Sequence, residues 1–121
     1  MDMPIDNTGT FVVRPGETIA ITVTASNSAF LAKFPKQPVG AKWSSITGPT
    51  NSVETRKFVA PASGSKCFVS IIFDFQSDAT GAFSPDAKYD IKVDGSVSGS
   101  FDDFPVEPPP LDNRTYRFRT T

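Results

Sequence analysis

The sequence predicts an all-β fold, a two-sheet antiparallel sandwich of about seven strands with an immunoglobulin-like Greek-key layout. Three observations carry this. The 121 residues contain two leucines against seventeen isoleucines and valines, with eleven phenylalanines added. β-Branched and aromatic side chains suit a pleated, half-buried surface, whereas leucine-rich stripes suit helices. Several short segments alternate apolar and polar residues with period two, and clusters of Pro, Gly, Ser and Asn separate them. A domain of this length buries about two thirds of the surface its unfolded chain exposes, enough for a core without staples.

Residues Met1 to Thr8 lack periodicity and are expected to form a flexible arm, leaving 9–121 as a single domain. Phe11 to Arg14 reads as a short strand. Thr18 to Ala25 places Ile19, Ile21, Val23 and Ala25 on one face and Thr18, Ala20, Thr22 and Thr24 on the other. Between them, Arg14-Pro15-Gly16-Glu17 fits a type II turn, with proline presetting φ and glycine supplying a positive φ. That twist suits a tight hairpin poorly, so the first strand is expected to pass to the opposite sheet.

Asn27 to Gln37 reads as a short strand or turn, ended by Pro35 and Pro38. A strand around Trp43, spanning Ala41 to Ile46, is followed by a turn at Gly48 to Asn51 and a strand from Val53 to Val59. Lys66 to Gln76 is the longest apolar stretch. It sets Cys67, Val69, Ile71, Phe73 and Phe75 against Phe68, Ser70, Ile72, Asp74 and Gln76. Its first half reads as buried on both faces, as in a central strand. Lys88 to Asp94 alternates Tyr89, Ile91 and Val93 with charged residues. The stretch Pro105 to Pro110 reads as a stiff crossover into a last strand at Thr115 to Thr120.

The composition excludes several chemistries. Without histidine, and with Cys67 as the one cysteine, the chain has no disulfide framework, no Cys or His zinc site and no Ser-His-Asp or Cys-His catalysis. Twelve basic and thirteen acidic residues give a net charge of −1, which provides no field for nucleic acid. No apolar run suits membrane insertion, and Met1-Asp2-Met3-Pro4 lacks the pattern of a signal peptide.

Four clusters are candidate sites. Asp74, Asp78 and Asp86 are the acids available to a calcium site, although Ala79 and Pro85 stand where an EF-hand needs Gly and Glu. Asp102 and Asp103, bracketed by Phe101 and Phe104, point to opposite faces of an extended chain. A carboxylate hydrolase would therefore need Glu107 or Asp86 as the second acid. Arg117 and Arg119 share a strand face and fit either anion recognition or charge protection of an edge. Phe83, Phe101 and Phe104 fall in expected loops, where exposed aromatics mark a protein interface.

These observations predict a noncatalytic sandwich that acts in protein–protein recognition or self-assembly. Homo-oligomerisation through the C-terminal strand is the expected route, and an extracytoplasmic setting is favoured. A calcium- or glycan-binding accessory module is the alternative, and a structural or virion-type oligomer the second alternative.

Overall fold

The computed structural model describes residues 2–27, 29 and 32–121. The described residues are all-β and form eight strands: β1 (Phe11–Val13), β2 (Thr18–Ser26), β3 (Trp43–Thr50), β4 (Val53–Val59), β5 (Lys66–Asp74), β6 (Lys88–Gly95), β7 (Gly99–Asp102) and β8 (Leu111–Thr120). A three-stranded sheet has the order β1-β8-β5, and a five-stranded sheet the order β3-β4-β2-β6-β7. All pairings are antiparallel except β1 with β8, which is parallel.

The alternation in the sequence sets the core. Ile19, Ile21 and Val23 of β2, Val69, Ile71 and Phe73 of β5, Tyr89, Ile91 and Val93 of β6, and Tyr116 and Phe118 of β8 are all buried. Their contacts join the sheets: the Phe58 and Phe118 rings meet edge-on at 5.3 Å, and Phe73 and Tyr89 lie 5.1 Å apart. The corner at Pro15-Gly16 behaves as its residues require. Gly16 takes φ 78°, and the chain leaves the three-stranded sheet after β1 to enter the five-stranded sheet as β2.

Several expectations are corrected. The first is the flexible arm, because residues from Asp2 onward pack on the sandwich. Met3 is buried and its N–H donates to Ser100 O at 2.7 Å, while Val12 N–H donates to Pro4 O at 2.9 Å. Apolar Met3 gives this segment something to bury, but one residue cannot show a period. The described residues hold eight strands because Gly99–Asp102 forms an additional short one.

β5 is not covered on both faces: Phe68 is 39% exposed and Ile72 46% exposed. The C-terminal strand lies between β1 and β5 in its sheet; β5 pairs along it from Leu111 to Arg119, whereas β1 pairs only with Phe118, Arg119 and Thr120. It is also longer than its apolar residues indicate and starts at Leu111. Phe30 and Leu31, within the segment read as a short strand or turn, lie outside the described residues.

Polar contacts pin the Pro-rich crossover. Val106 is fully buried and exchanges two backbone hydrogen bonds with Tyr89, at 2.9 and 2.8 Å. Tyr116 Oη donates to Asp103 Oδ2 at 2.6 Å, and Tyr89 Oη to the Asp74 carbonyl at 2.7 Å. Burial raises the pKa of both phenols above the ordinary 10.0. The Asp74 charge adds to this at Tyr89, and the hydrogen bond and charge of Asp103 add to it at Tyr116.

A folded-state pKa above the unfolded one gives stability that is complete below the unfolded value and is lost as pH rises through the folded one. The two tyrosines are the only ones in the chain. Alkaline titration should therefore show no tyrosinate absorbance while the fold persists, then ionisation together with unfolding above about pH 10. A gradual tyrosinate signal near that pH, with native circular dichroism retained, would contradict this.

Candidate functional site

The two sheets present different outer faces to solvent. That of the five-stranded sheet carries Thr22 and Thr24 of β2, Asp90 and Lys92 of β6 and Asp102 of β7. The outer face of the three-stranded sheet is built around Phe68. In register, Phe68 faces Arg117, Lys66 faces Arg119, and Ser70 faces Thr115, whose hydroxyl lies 2.8 Å from that of Ser70.

On its other side Phe68 exchanges both backbone hydrogen bonds with Val39, at 2.9 and 3.0 Å. Phe68 and Arg117 therefore form a non-hydrogen-bonded pair, the arrangement in which opposing side chains approach most closely. Val39, itself 54% exposed, extends the apolar strip beyond the strand edge.

The groove over this strip has a volume of about 480 Å³. Val39 and Phe68 line one side and Asp6, Thr8 and Thr10 the other, with Lys66, Arg117 and Arg119 between. The Asp6 wall is tied together by its own hydrogen bonds. One carboxylate oxygen accepts from Thr8 Oγ1 at 2.6 Å, Thr8 N at 2.8 Å and Thr10 N at 3.1 Å, and the other from Arg119 Nε at 2.8 Å. These bonds, the Thr8 hydroxyl foremost and Arg119 next, hold the Asp6 carboxyl well below the usual carboxylate range.

Arg119 is thus already paired. Arg117 and Lys66 are exposed, and among the described residues no carboxylate lies within ion-pair distance of either. The groove therefore combines an apolar wall with two free cations.

The other candidates disperse. Phe83 and Phe101 pack against the core, with the Phe101 ring edge-on to Phe11 at 5.0 Å, while Phe104 is 83% exposed. The loop reading of Phe101 is corrected: it lies in β7 opposite Val93, which faces the core.

Asp74, Asp78 and Asp86 do not converge, and among the described residues no three acids or cysteines gather to hold a metal. Asp74 pairs with Lys33 at 3.0 Å. Asp78 spends one oxygen on its own loop, accepting from Thr80 Oγ1 and N and from Ala82 N, and Asp86 is exposed. Asp103 is committed to Tyr116 and lies 3.8 Å from Arg114. The Cys67 thiol is pushed up to about 11 by burial, far from the reactive range.

Sequence reasoning found Arg117 and Arg119 but missed Phe68, Val39 and Lys66. Strict alternation with inward Val69 and Ile71 places Phe68 outward, and that was the available signal. Val39 carries none. No helix among the described residues is long and apolar enough to cross a membrane. The chain matches no protein-family model, no curated protein and no solved structure.

Proposed function

We propose that the domain is a noncatalytic protein-recognition module, and that the Phe68 groove receives an acidic segment of a partner protein bearing an apolar side chain. The observation that carries this reading is the pairing of exposed Phe68 and Val39 with the unpaired cations Arg117 and Lys66 on one sheet face. Apolar contact supplies affinity by removing Phe68 from water, and the cations select carboxylates by charge-assisted hydrogen bonds. The planar guanidinium of Arg117, beside the ion pair of Arg119 with Asp6, matches a carboxylate in bidentate geometry. A noncatalytic role agrees with the chemistry of the chain, whose cysteine is buried and whose Asp103 is already engaged.

Selection from a random peptide display library against the intact domain tests this directly. Enriched peptides should carry Asp or Glu beside an aromatic or branched aliphatic residue. Their binding should weaken about tenfold or more in Arg117→Glu, a loss expected when a charge-assisted contact becomes a repulsion. Phe68→Ala should weaken it independently of salt. Enrichment of uncharged peptides, or binding that Arg117→Glu leaves unchanged, overturns the reading.

A second reading, self-assembly, is favoured by a separate feature at the far edge of the other sheet.

A further inference from the structure

Two sheets have four edges, and this chain covers three of them itself. Ile5 bridges to Phe11 and Pro4 accepts from Val12, which closes the outer side of β1. Lys33 and Val39 bridge to Ile72 and Phe68 along β5, and Asp2 and Met3 lie along Ser100 of β7. The fourth outer strand is β3; the side of β8 beyond the end of β1, Leu111–Arg117, is also without a strand partner among the described residues, but it carries Asp112, Arg114 and Arg117. Among the described residues, no backbone group pairs with β3 on the side away from β4.

The open run is defined at both ends. The Gln37 side chain accepts from Trp43 N at 2.8 Å, and the pairing of β3 with β4 shifts register between Trp43 and Ser45 and again between Thr47 and Thr50. Pro49 has no N–H to offer. What remains is Ser44-Ser45-Ile46-Thr47, four uncharged residues in a strand that holds no charge over its eight positions. Edges kept from self-pairing normally carry charge, above all lysine.

Ile46 stands opposite Arg56, and opposite residues share a face. Arg56 is on the core side with Glu54 and Phe58. Ile46 is therefore a core-side residue that the smaller sheet does not reach, and it is 54% exposed.

We infer that the Ser44–Thr47 edge pairs antiparallel with the same edge of a second copy of this chain, about a two-fold axis at Ile46. The pleat admits this register because it sets Ile46 against Ile46 and Ser45 against Thr47, each pair on a common face. The occupant is another copy because an uncharged run opposes itself without repulsion, and each isoleucine covers the other. The two five-stranded sheets then become one continuous sheet with closed symmetry, so assembly stops at two. The edge is distinct from the Phe68 groove, and either surface stands if the other fails.

Four residues a side bury less than a stable interface needs, so the dimer is weak, with a dissociation constant of roughly 0.1–1 mM. Sedimentation equilibrium up to about 2 mM spans that range. The expected mass rises from 13.0 kDa toward twice that value and no further. Ile46→Lys and Ile46→Asp should each stay monomeric, because they set like charges directly opposite, and mixing the two should restore the dimer. Melting curves within a few degrees of wild type establish that the variants fold, and Ile46→Arg, at the same self-opposed position, replaces Ile46→Lys if that one does not. A wild-type mass fixed at the monomer, a mass that climbs past two copies, or a dimer indifferent to these charges overturns the inference.

Discussion

Replacing Glu17 by alanine should destabilise the domain by about 3 kcal/mol and lower its melting temperature by about 10 °C. Glu17 is 5% exposed and sits at the corner between β1 and β2. Its carboxylate accepts from Arg14 N at 2.5 Å, from Val97 N at 2.9 Å, from Ser98 N at 3.0 Å and from the Ser98 hydroxyl. One side chain therefore ties the corner at one end of the sandwich to the turn between β6 and β7. Alanine leaves four donors without their acceptor. The space is also close: a Cβ on Gly95 would stand 2.7 Å from Glu17 Oε2, so Gly95→Ala should strain the same site.

The acid is charged in the fold. Burial by itself raises its pKa, but the Ser98 hydroxyl and the Arg14, Val97 and Ser98 N–H groups together outweigh burial and leave it below the ordinary 4.5. A depressed folded pKa means stability that is complete above the unfolded value and is lost as pH falls through the folded one. Melting temperature against pH should thus fall off below about 4.5 in the wild type. In Glu17→Gln it should start lower and fall less steeply, because the amide cannot titrate and offers N–H groups where acceptors are needed. Superimposable acid limbs for the two proteins, or an alanine variant within a degree or two of wild type at pH 7, would refute the assignment.

The fold class was legible because the interior lies on one side of each sheet, which imposes period two wherever a strand is long enough to show it. β2, β5 and β6 display that period over seven or more residues, and their inward faces in the structure are the ones their sequences indicate. The Pro15-Gly16 corner was legible for a local reason, since its geometry depends on two residues and not on what they touch. β7 was not legible: four residues with Phe101 as their one large apolar side chain carry no pattern. The order of strands was not legible either. Thr115, Arg117 and Arg119 read like a charged edge, yet β8 is central, because a strand's own pattern records which face is wet and not how many neighbours it has.

The candidate groove fails to show for a related reason. Its walls come from the Asp6–Thr10 turn, Val39, β5 and β8, and only the fold brings these together. Phe68 was hidden by an assumption that usually holds, that an aromatic residue in an apolar run is buried. The acids proposed as metal ligands were misjudged in the opposite sense. Proximity in sequence suggested a cluster, but Asp74 ends β5 and faces Lys33, while Asp78 closes its own turn.

Phe118→Ala should be the most damaging substitution in the core, costing about 3–5 kcal/mol. The ring is fully buried and stands at the centre of an aromatic series that crosses the molecule. Trp43 of β3 meets Phe58 of β4 at 6.0 Å, Phe58 meets Phe118 of β8 at 5.3 Å, Phe118 meets Phe11 of β1 at 5.4 Å, and Phe11 meets Phe101 of β7 at 5.0 Å. The series begins and ends on the two edge strands of the five-stranded sheet and passes through the three-stranded sheet between them. Removing Phe118 breaks it where the sheets join, and packing at native density allows little collapse into the gap. Domains of this kind are stable by about 5–15 kcal/mol, so the loss is a large share of the total and the melting temperature should fall by about 15 °C. Phe118→Leu refills most of the volume and should cost less than half as much. A double-mutant cycle with Phe58→Leu should return a coupling of about 0.5–1.5 kcal/mol for the edge-on pair. Zero coupling, or an alanine variant that loses less than about 1 kcal/mol, would place the join between the sheets elsewhere, with Phe73 and Tyr89 as the next pair to test.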